Sequence, residues 1–247
     1  MKRGFDFCVA LAALAILAAP LALAALAVWL EDGESPFYRG VRIGKGGRPF
    51  KMVKFRSMRR DAWKSGVNST ASEDPRITRV GRILRRFKLD EFPQFVNLLA
   101  GDMSLVGPRP QVPDDAALYT EEERRLFTVR PGLTDLASIV FADEAAILAG
   151  SEDPDLLYNR IIRPWKSRLA LAYLDHMGLA LDLRILLLTA LSAISRRRAL
   201  DAVARLLGRW GAQPVLIRAA LRQAPLEEFP PPGATEVVSR YPHRAHA

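Results

Sequence analysis

The first long feature of the hydropathy pattern is apolar throughout. After Met1-Lys2-Arg3, no charged residue falls between Phe7 and Leu30. As a helix rising ~1.5 Å per residue this run is roughly 36 Å long, enough to cross a ~30 Å hydrocarbon core. A signal peptide fits poorly, because its apolar region is usually only ~7–15 residues long. Two readings remain: a straight span, or a bent helix that enters and leaves on one side. Pro20 sits mid-run, where it removes a helical hydrogen bond and kinks the axis. Basic residues flank both ends, Lys2 and Arg3 before and Arg39, Arg42, Lys45, Arg48, Lys51 and Lys54 after, and basic flanks prefer the cytoplasmic side. The acidic stretch EDGE, 31–34, counts for little in that rule.

The pattern then changes period. In 36–56, PFYRGVRIGKGGRPFKMVKFR, alternation on either side of a glycine-rich turn predicts two strands. GKGG lacks the spacing of a phosphate loop and no helix follows at once, so a hairpin turn is expected. Residues 65–75, SGVNSTASEDP, have loop composition. Ile77, Val80, Ile83, Leu84 and Phe87 return to helical spacing, with Thr78 as the N-cap of a helix to about Phe87. A second helix is expected from about Asp90, since Pro93 is tolerated only in a first turn, with Gly101 as its stop.

Further on, 155–194 reads as helical. Within it LALDLRILLLTALSAI, 179–194, is interrupted by Asp182 and Arg184 and predicts a core or interfacial helix rather than a span. The basic, amphipathic segment Arg196 to Gln223 predicts a helix on a membrane surface, with a packed helix pair as the alternative. From Pro225, with PPPG at 230–233, composition predicts a disordered tail.

Composition narrows the chemistry. The formal charge is +9, which favours polyanionic partners: nucleotide phosphates, acidic lipid or nucleic acid. A single cysteine, Cys8, excludes an internal disulfide framework and a cysteine metal site. The three histidines are His176, His243 and His246, so a histidine-based triad or metal site would rest on His176 alone.

Against this basic background the pair Asp90-Glu91 stands out. It follows the arginine run Arg76, Arg79, Arg82, Arg85 and Arg86, and precedes Arg109, which lies between Pro108 and Pro110. The pair has a structural explanation, because Asp caps helices and Glu suits a first turn. It also has a chemical one. A helix N-terminus collects anions, and a carboxylate beside arginine is a credible nucleophile toward phosphorus. Its neighbour on the helix points elsewhere and can hold a hard cation such as Mg²⁺. A stiff backbone under Arg109 suits bidentate phosphate gripping, and Arg130 before Pro131-Gly132 repeats that theme.

Four runs, PFKMVKFRSM, DPRITRVGRILRR, LDEFPQFVNLLAGDMSLVGPRP and RPGLTDLASI, occur in this order. Together they resemble the bacterial sugar transferase family, the monotopic phosphoglycosyl transferases, in a short minimal form; the resemblance covers roughly Met1 to Ile194. It implies transfer of a sugar-1-phosphate from a nucleotide sugar, usually a UDP-sugar, to polyprenyl phosphate at the inner membrane, starting a polysaccharide or glycoconjugate. It also implies a ping-pong reaction through a covalent phosphosugar on Asp90, with Glu91 linked to Mg²⁺. Substrate phosphate contacts are expected at Arg85 and Arg109, and with them at Lys54, Arg56 and Arg130. The apolar helix is implied to be re-entrant, broken at Pro20. Three departures leave the acidic pair intact: Ala19 where Ser is common, Gly40 where Gln often stands, and Asp135-Leu136-Ala137-Ser138-Ile139 in place of a Gly-Trp-Ala-Gln-Val variant.

The expected fold is α+β and helix-rich. A re-entrant membrane helix and its flank take 1–35 and a cytoplasmic catalytic domain, with a small β-hairpin region and interfacial amphipathic helices, takes 36–195. A basic amphipathic extension (196–224) and a disordered tail (225–247) follow. The expected partners are a nucleotide sugar, polyprenyl phosphate and the bilayer, and no nucleic acid. The rival reading is a membrane-anchored, basic, non-enzymatic module binding acidic lipid or nucleic acid. It gives no reason for Asp90-Glu91, and the chain lacks RNA-binding aromatic signatures and helix-turn-helix grammar.

Overall fold

The computed structural model describes residues 2–241. Helix α1 (Lys2–Asp32) is continuous, contains Pro20, and is long and apolar enough by length and composition to cross a membrane. Both of its polar ends are tied to the rest of the chain. At the start, Lys2 Nζ donates to Asp182 at 2.6 Å and to the Val106 carbonyl at 2.9 Å, and Arg3 donates to the Leu98 and Leu99 carbonyls. Asp6, buried, accepts from Ser104 Oγ at 2.8 Å and from the Leu105 N–H. At the far end, Arg56 forks onto Asp32. Between these ends Phe5, Val9, Leu14 and Leu17 lie on the main core, and Leu21, Ala24 and Val28 lie against Phe55 and Leu84.

Strands β1 (Phe37–Ile43) and β2 (Pro49–Phe55) form the expected antiparallel hairpin, in register from Phe37↔Phe55 to Ile43↔Pro49. Gly46 and Gly47 turn it with φ of +71° and +73°, a region that penalises a Cβ. Helix α2 (Arg79–Arg86) starts as predicted, with Thr78 Oγ1 accepting from the Gly81 N–H at 2.9 Å. Glu31 of α1 accepts from the Arg79 N–H at 2.7 Å, so a second carboxylate caps the same end.

The helix expected from Asp90 divides in two. Residues Leu89–Gln94 form a 3-10 helix and α3 (Phe95–Ala100) follows. Lys88 enters in the left-handed region at φ +55°, and Pro93 has no N–H for an α-helical bond. As predicted, Gly101 stops α3 in the left-handed region. Strand β3 (Ser104–Val106) then pairs in parallel with β4 (Gly132–Thr134), a pairing with no sequence signal because each strand is one alternation long. Just beyond it, the two backbones touch: a Cβ on Gly132 would sit 2.1 Å from the Gly107 nitrogen.

Short helices α4 (Pro113–Ala117), α5 (Glu121–Arg124), α6 (Leu136–Val140), α7 (Glu144–Ile147) and α8 (Pro154–Leu157) lead to the longer α9 (Arg163–His176), α10 (Leu179–Ile194), α11 (Arg196–Arg209) and α12 (Pro214–Leu221). The core is shared among α6, α9, α10 and α11, through Leu136, Val140, Leu169, Tyr173, Ile185, Val203 and Leu207.

Two expectations for the C-terminal third are corrected. The apolar face of α11 is not a membrane face: Ala199, Leu200, Val203, Leu206 and Leu207 are buried in the core, and Arg197, Arg198, Arg205 and Arg209 cover the outside. The tail is not a solvated coil up to Tyr241. Phe229 lies against Trp165, ring centroids 4.6 Å apart, with the Arg168 guanidinium 4.7 Å from its centroid. One aromatic anchor offsets the ordering cost that proline-rich composition suggests is unmet. The expectation for 242–247 lies outside the described residues.

Candidate active site

The site gathers at the 3-10 helix. Strand β2 brings Lys54, the end of α2 brings Arg85, and the segment after β3 brings Arg109. Asn97 of α3 fixes the first of these: its Nδ2 donates to the Lys51 carbonyl at 2.8 Å and its Oδ1 accepts from the Val53 N–H at 2.9 Å. A single buried amide thus pins the strand carrying Lys54 beside the acidic pair. Arg109 is pinned likewise, with Nη1 donating to the Leu133 carbonyl at 3.1 Å.

Asp90 and Glu91 have different surroundings. Glu91 Oε1 accepts from Lys54 Nζ at 3.0 Å and from Arg109 Nη2. Burial alone would raise the Glu91 pKa; the Arg109 and Lys54 charges outweigh it and hold the carboxyl well below its ordinary range. Asp90 is 8% exposed, and no hydrogen bond from the described residues reaches its carboxylate. The cap position of its helix is Lys88, so Asp90 is not the N-cap. Burial raises its pKa, joined by repulsion from Glu91, while Lys54, Arg85 and Arg109 pull the other way without cancelling the rise. The Lys54 pKa is lowered, mainly by burial.

The arrangement is an ionised, doubly held glutamate beside an unpaired aspartate of raised basicity, with the charges of Lys54, Arg85 and Arg109 acting on it. Such a group can attack an electron-poor centre whose charge the cations offset. The carboxylate is not completely sealed, since neither Asp90 oxygen is among the fully buried unpaired atoms. For Mg²⁺, the residues present fit. Glu91 Oε1 is taken and Oε2 accepts no bond from the described residues, and Mg²⁺ characteristically binds one or two carboxylates plus substrate phosphate and water. Among the described residues no three His, Cys, Asp or Glu side chains converge, so such an ion would be completed by the substrate's oxygens.

Of the sequence-predicted residues, Asp90, Glu91, Lys54, Arg85 and Arg109 come together, Arg85 through its charge alone. Arg56 does not join them; it is held by Asp32 and the Ser35 carbonyl. Arg130 is exposed and donates to the Gly101 carbonyl at 2.8 Å. Pro20 lies inside α1 without ending it. Sequence reasoning missed Asn97, for which a lone Asn inside the apolar run FVNLL was the signal.

Comparison with known proteins gives the family. The bacterial sugar transferase family model matches residues 1–196. An exopolysaccharide production protein of Rhizobium leguminosarum bv. phaseoli is 38% identical over 207 residues, covering 79% of this chain and 96% of that protein. A UDP-glucose:undecaprenyl-phosphate glucose-1-phosphate transferase of Caulobacter vibrioides is 37% identical over 197 residues, 78% of this chain and 70% of that protein. A Bacillus subtilis protein, provisionally named an undecaprenyl-phosphate N-acetylgalactosaminyl 1-phosphate transferase, is 46% identical over 122 residues, 49% of this chain and 66% of that protein. With the whole acidic site inside the matched region, the chain belongs to the bacterial sugar transferase family and is a transferase.

Proposed function

We propose that this enzyme transfers a sugar-1-phosphate from a UDP-sugar to polyprenyl phosphate, with Asp90 as the nucleophile. A carboxylate oxygen of Asp90 attacks the phosphorus that bears the sugar. The bond from that phosphorus to the bridging oxygen breaks and UMP leaves with the electron pair. The aspartyl-phosphosugar is then attacked at the same phosphorus by an oxygen of the lipid phosphate, which releases Asp90 as carboxylate and yields a polyprenyl-diphosphate sugar. The reading rests on one observation above all: Glu91 is claimed by two cations while Asp90, next to it, is left unpaired. Lys54, Arg109 and Arg85 lower the repulsion between a carboxylate and a diphosphate. Bound at Glu91 Oε2, Mg²⁺ would add a further positive charge for the phosphate oxygens.

The lipid acceptor requires the site to meet a bilayer, placed here as the bacterial inner membrane with the catalytic domain on its cytoplasmic side. Three observations support a bilayer beside the site. Exposed Ile83, Phe87 and Val96 flank the site among Arg82 and Arg86. Leu179, Leu183, Leu187 and Ile194 form an exposed stripe on α10. Both ends of α1 are anchored to the same body, which suits a helix that returns to the side it entered from. The bend is tested by labelling cysteines placed at Lys2 and Arg59 in a Cys8→Ala background. Protection of the first alone from a cytoplasmic reagent overturns it.

The reaction is tested by UMP release from UDP-sugars in membranes containing polyprenyl phosphate, with wild type against Asp90→Asn. An active wild type beside a folded, membrane-bound and inactive variant is expected. A variant nearly as active as wild type removes Asp90 from the mechanism.

A further inference from the structure

The chain beyond the family match ends in a strap. From Arg222, in the left-handed region at φ +53°, it runs across the turn before α9, where the Phe229 N–H donates to the Arg160 carbonyl at 3.1 Å, and across α9 itself, where Arg168 donates to the Pro230 carbonyl at 2.9 Å. It passes the start of α5, where Thr120 Oγ1 donates to the Pro232 carbonyl, and Arg160 holds the Val238 carbonyl at 3.0 Å. Tyr241, the last described residue of the strap, is 6% exposed. The Tyr241 hydroxyl donates to Asp115 Oδ1 of α4 at 2.8 Å and accepts from Asn68 Nδ2 at 3.1 Å.

Those two partners belong to the segments that carry the cationic site. Asn68 lies in the loop between β2, which carries Lys54, and α2, which carries Arg85; Asp115 lies in the helix that follows Arg109. The loop has little apolar packing of its own. It is held by polar contacts: the Asn68 and Ser69 N–H groups donate to Asp155, and Arg76 donates to Ser65 Oγ and the Val67 and Ser69 carbonyls. Its polar composition, SGVNSTASEDP, contrasts with the exposed, apolar Ile83 and Phe87 of α2 and its end, which suit lipid. A hydrophilic donor suits the loop, and a lipid acceptor suits the apolar side.

We propose that the C-terminal strap positions the 65–75 loop for donor binding, with Tyr241 as the positioning residue that links the segment before Arg85 to the segment after Arg109. This rests on the UDP-sugar reaction proposed above. In this arrangement, the strap sets how well the enzyme holds its nucleotide sugar, not how fast the held donor reacts.

The test uses the full chain, comparing wild type with Tyr241→Phe, Asn68→Ala and the double variant. Removing the hydroxyl is expected to raise the donor KM about five-fold, the size one buried hydrogen bond carries, with kcat within about two-fold. Amide exchange over 65–75 in the absence of donor is expected to quicken, and the double variant should fall short of the sum of the two single effects, because both lose the Tyr241–Asn68 bond while each also loses a bond of its own, to Asp115 or to Asp114. Unchanged KM and unchanged exchange overturn the proposal. So does a fall in kcat and melting temperature at constant KM, which marks a purely structural role. If wild type releases no UMP, the reaction is wrong, and loop exchange still decides the strap: equal rates in wild type and Tyr241→Phe end the proposal.

Discussion

Arg163 and Glu123 form an ion pair whose side chains are 2% and 0% exposed, and it can be set beside the Lys54–Glu91–Arg109 cluster, where the exposures are 20%, 21% and 29%. In the first, all three guanidinium nitrogens donate: to Glu123, to Asn159 and to the Leu118 carbonyl. Both Glu123 oxygens accept, with Ser167 and the Thr120 N–H completing the set. In the second, cations crowd one glutamate oxygen and leave Asp90 without a bond. The same residue types are thus used to opposite ends. A closed network fixes the packing of α5 on α9, and an open one keeps charge available for a ligand.

The largest effect that separates the two clusters is on rate. Asp90→Asn is expected to cut UMP release by roughly 10³-fold or more, as loss of a covalent nucleophile does, with no loss of melting temperature. Glu123→Ala is expected to do the reverse. Removing one partner strands a buried guanidinium and costs about 3–5 kcal/mol. At ~2–4 °C per kcal/mol for a chain of this size, the melting temperature falls by about 6–20 °C, with activity per folded molecule retained. An inactive but stable Glu123→Ala protein breaks the comparison, because it gives the closed network a part in chemistry.

Arg109 tests the open cluster at smaller scale. Arg109→Lys keeps the charge opposite Glu91 but loses the planar fork that reaches Glu91 and the Leu133 carbonyl together. A drop in kcat of about 10–100-fold is expected, the range for weakening one preorganised donor. The same exchange at exposed Arg130 is expected to change kcat less than about two-fold, which initial rates at saturating donor resolve.

The sequence made some of this legible and hid the rest for physical reasons. Periodicity exposed α1, the hairpin and the Thr78 cap because each rests on residues close in the chain. The acidic pair was visible as charge out of place. Arg56 and Asp32 were not readable as partners, since nothing local couples a residue after β2 to the end of α1. The acidic stretch after the apolar run looked irrelevant to topology, yet Glu31, Asp32 and Glu34 each meet a group on the domain. Proline-rich composition concealed the strap, because one well-placed Phe229 between Trp165 and Arg168 does not alter composition. Short β3 and β4 approach closely where Gly107 and Gly132 admit each other's backbone, a fit between residues far apart in the chain.

The finest distinction lies inside the acidic pair, where the two neighbours are expected to have opposite effects on stability. The folded-state pKa of Asp90 is raised, chiefly by burial, so its ionisation opposes folding. Asp90→Asn should therefore melt above wild type at pH 7. That advantage should shrink as pH falls below the folded-state pKa and vanish below about 3.8, where wild-type Asp90 is protonated in both states. Glu91 is lowered, because Arg109 and Lys54 outweigh the burial that opposes them, so its ionised form supports folding above the ordinary carboxylate range. Glu91→Gln should melt below wild type at pH 7, and the deficit should begin to narrow as pH falls below about 4.5, where the unfolded chain takes up the proton before folded Glu91 does. Melting curves of the three proteins between pH 7 and 3 read both signs at once. Parallel curves for the two variants would mean that the pair shares one environment, and the division of labour between a held glutamate and a free aspartate would be lost.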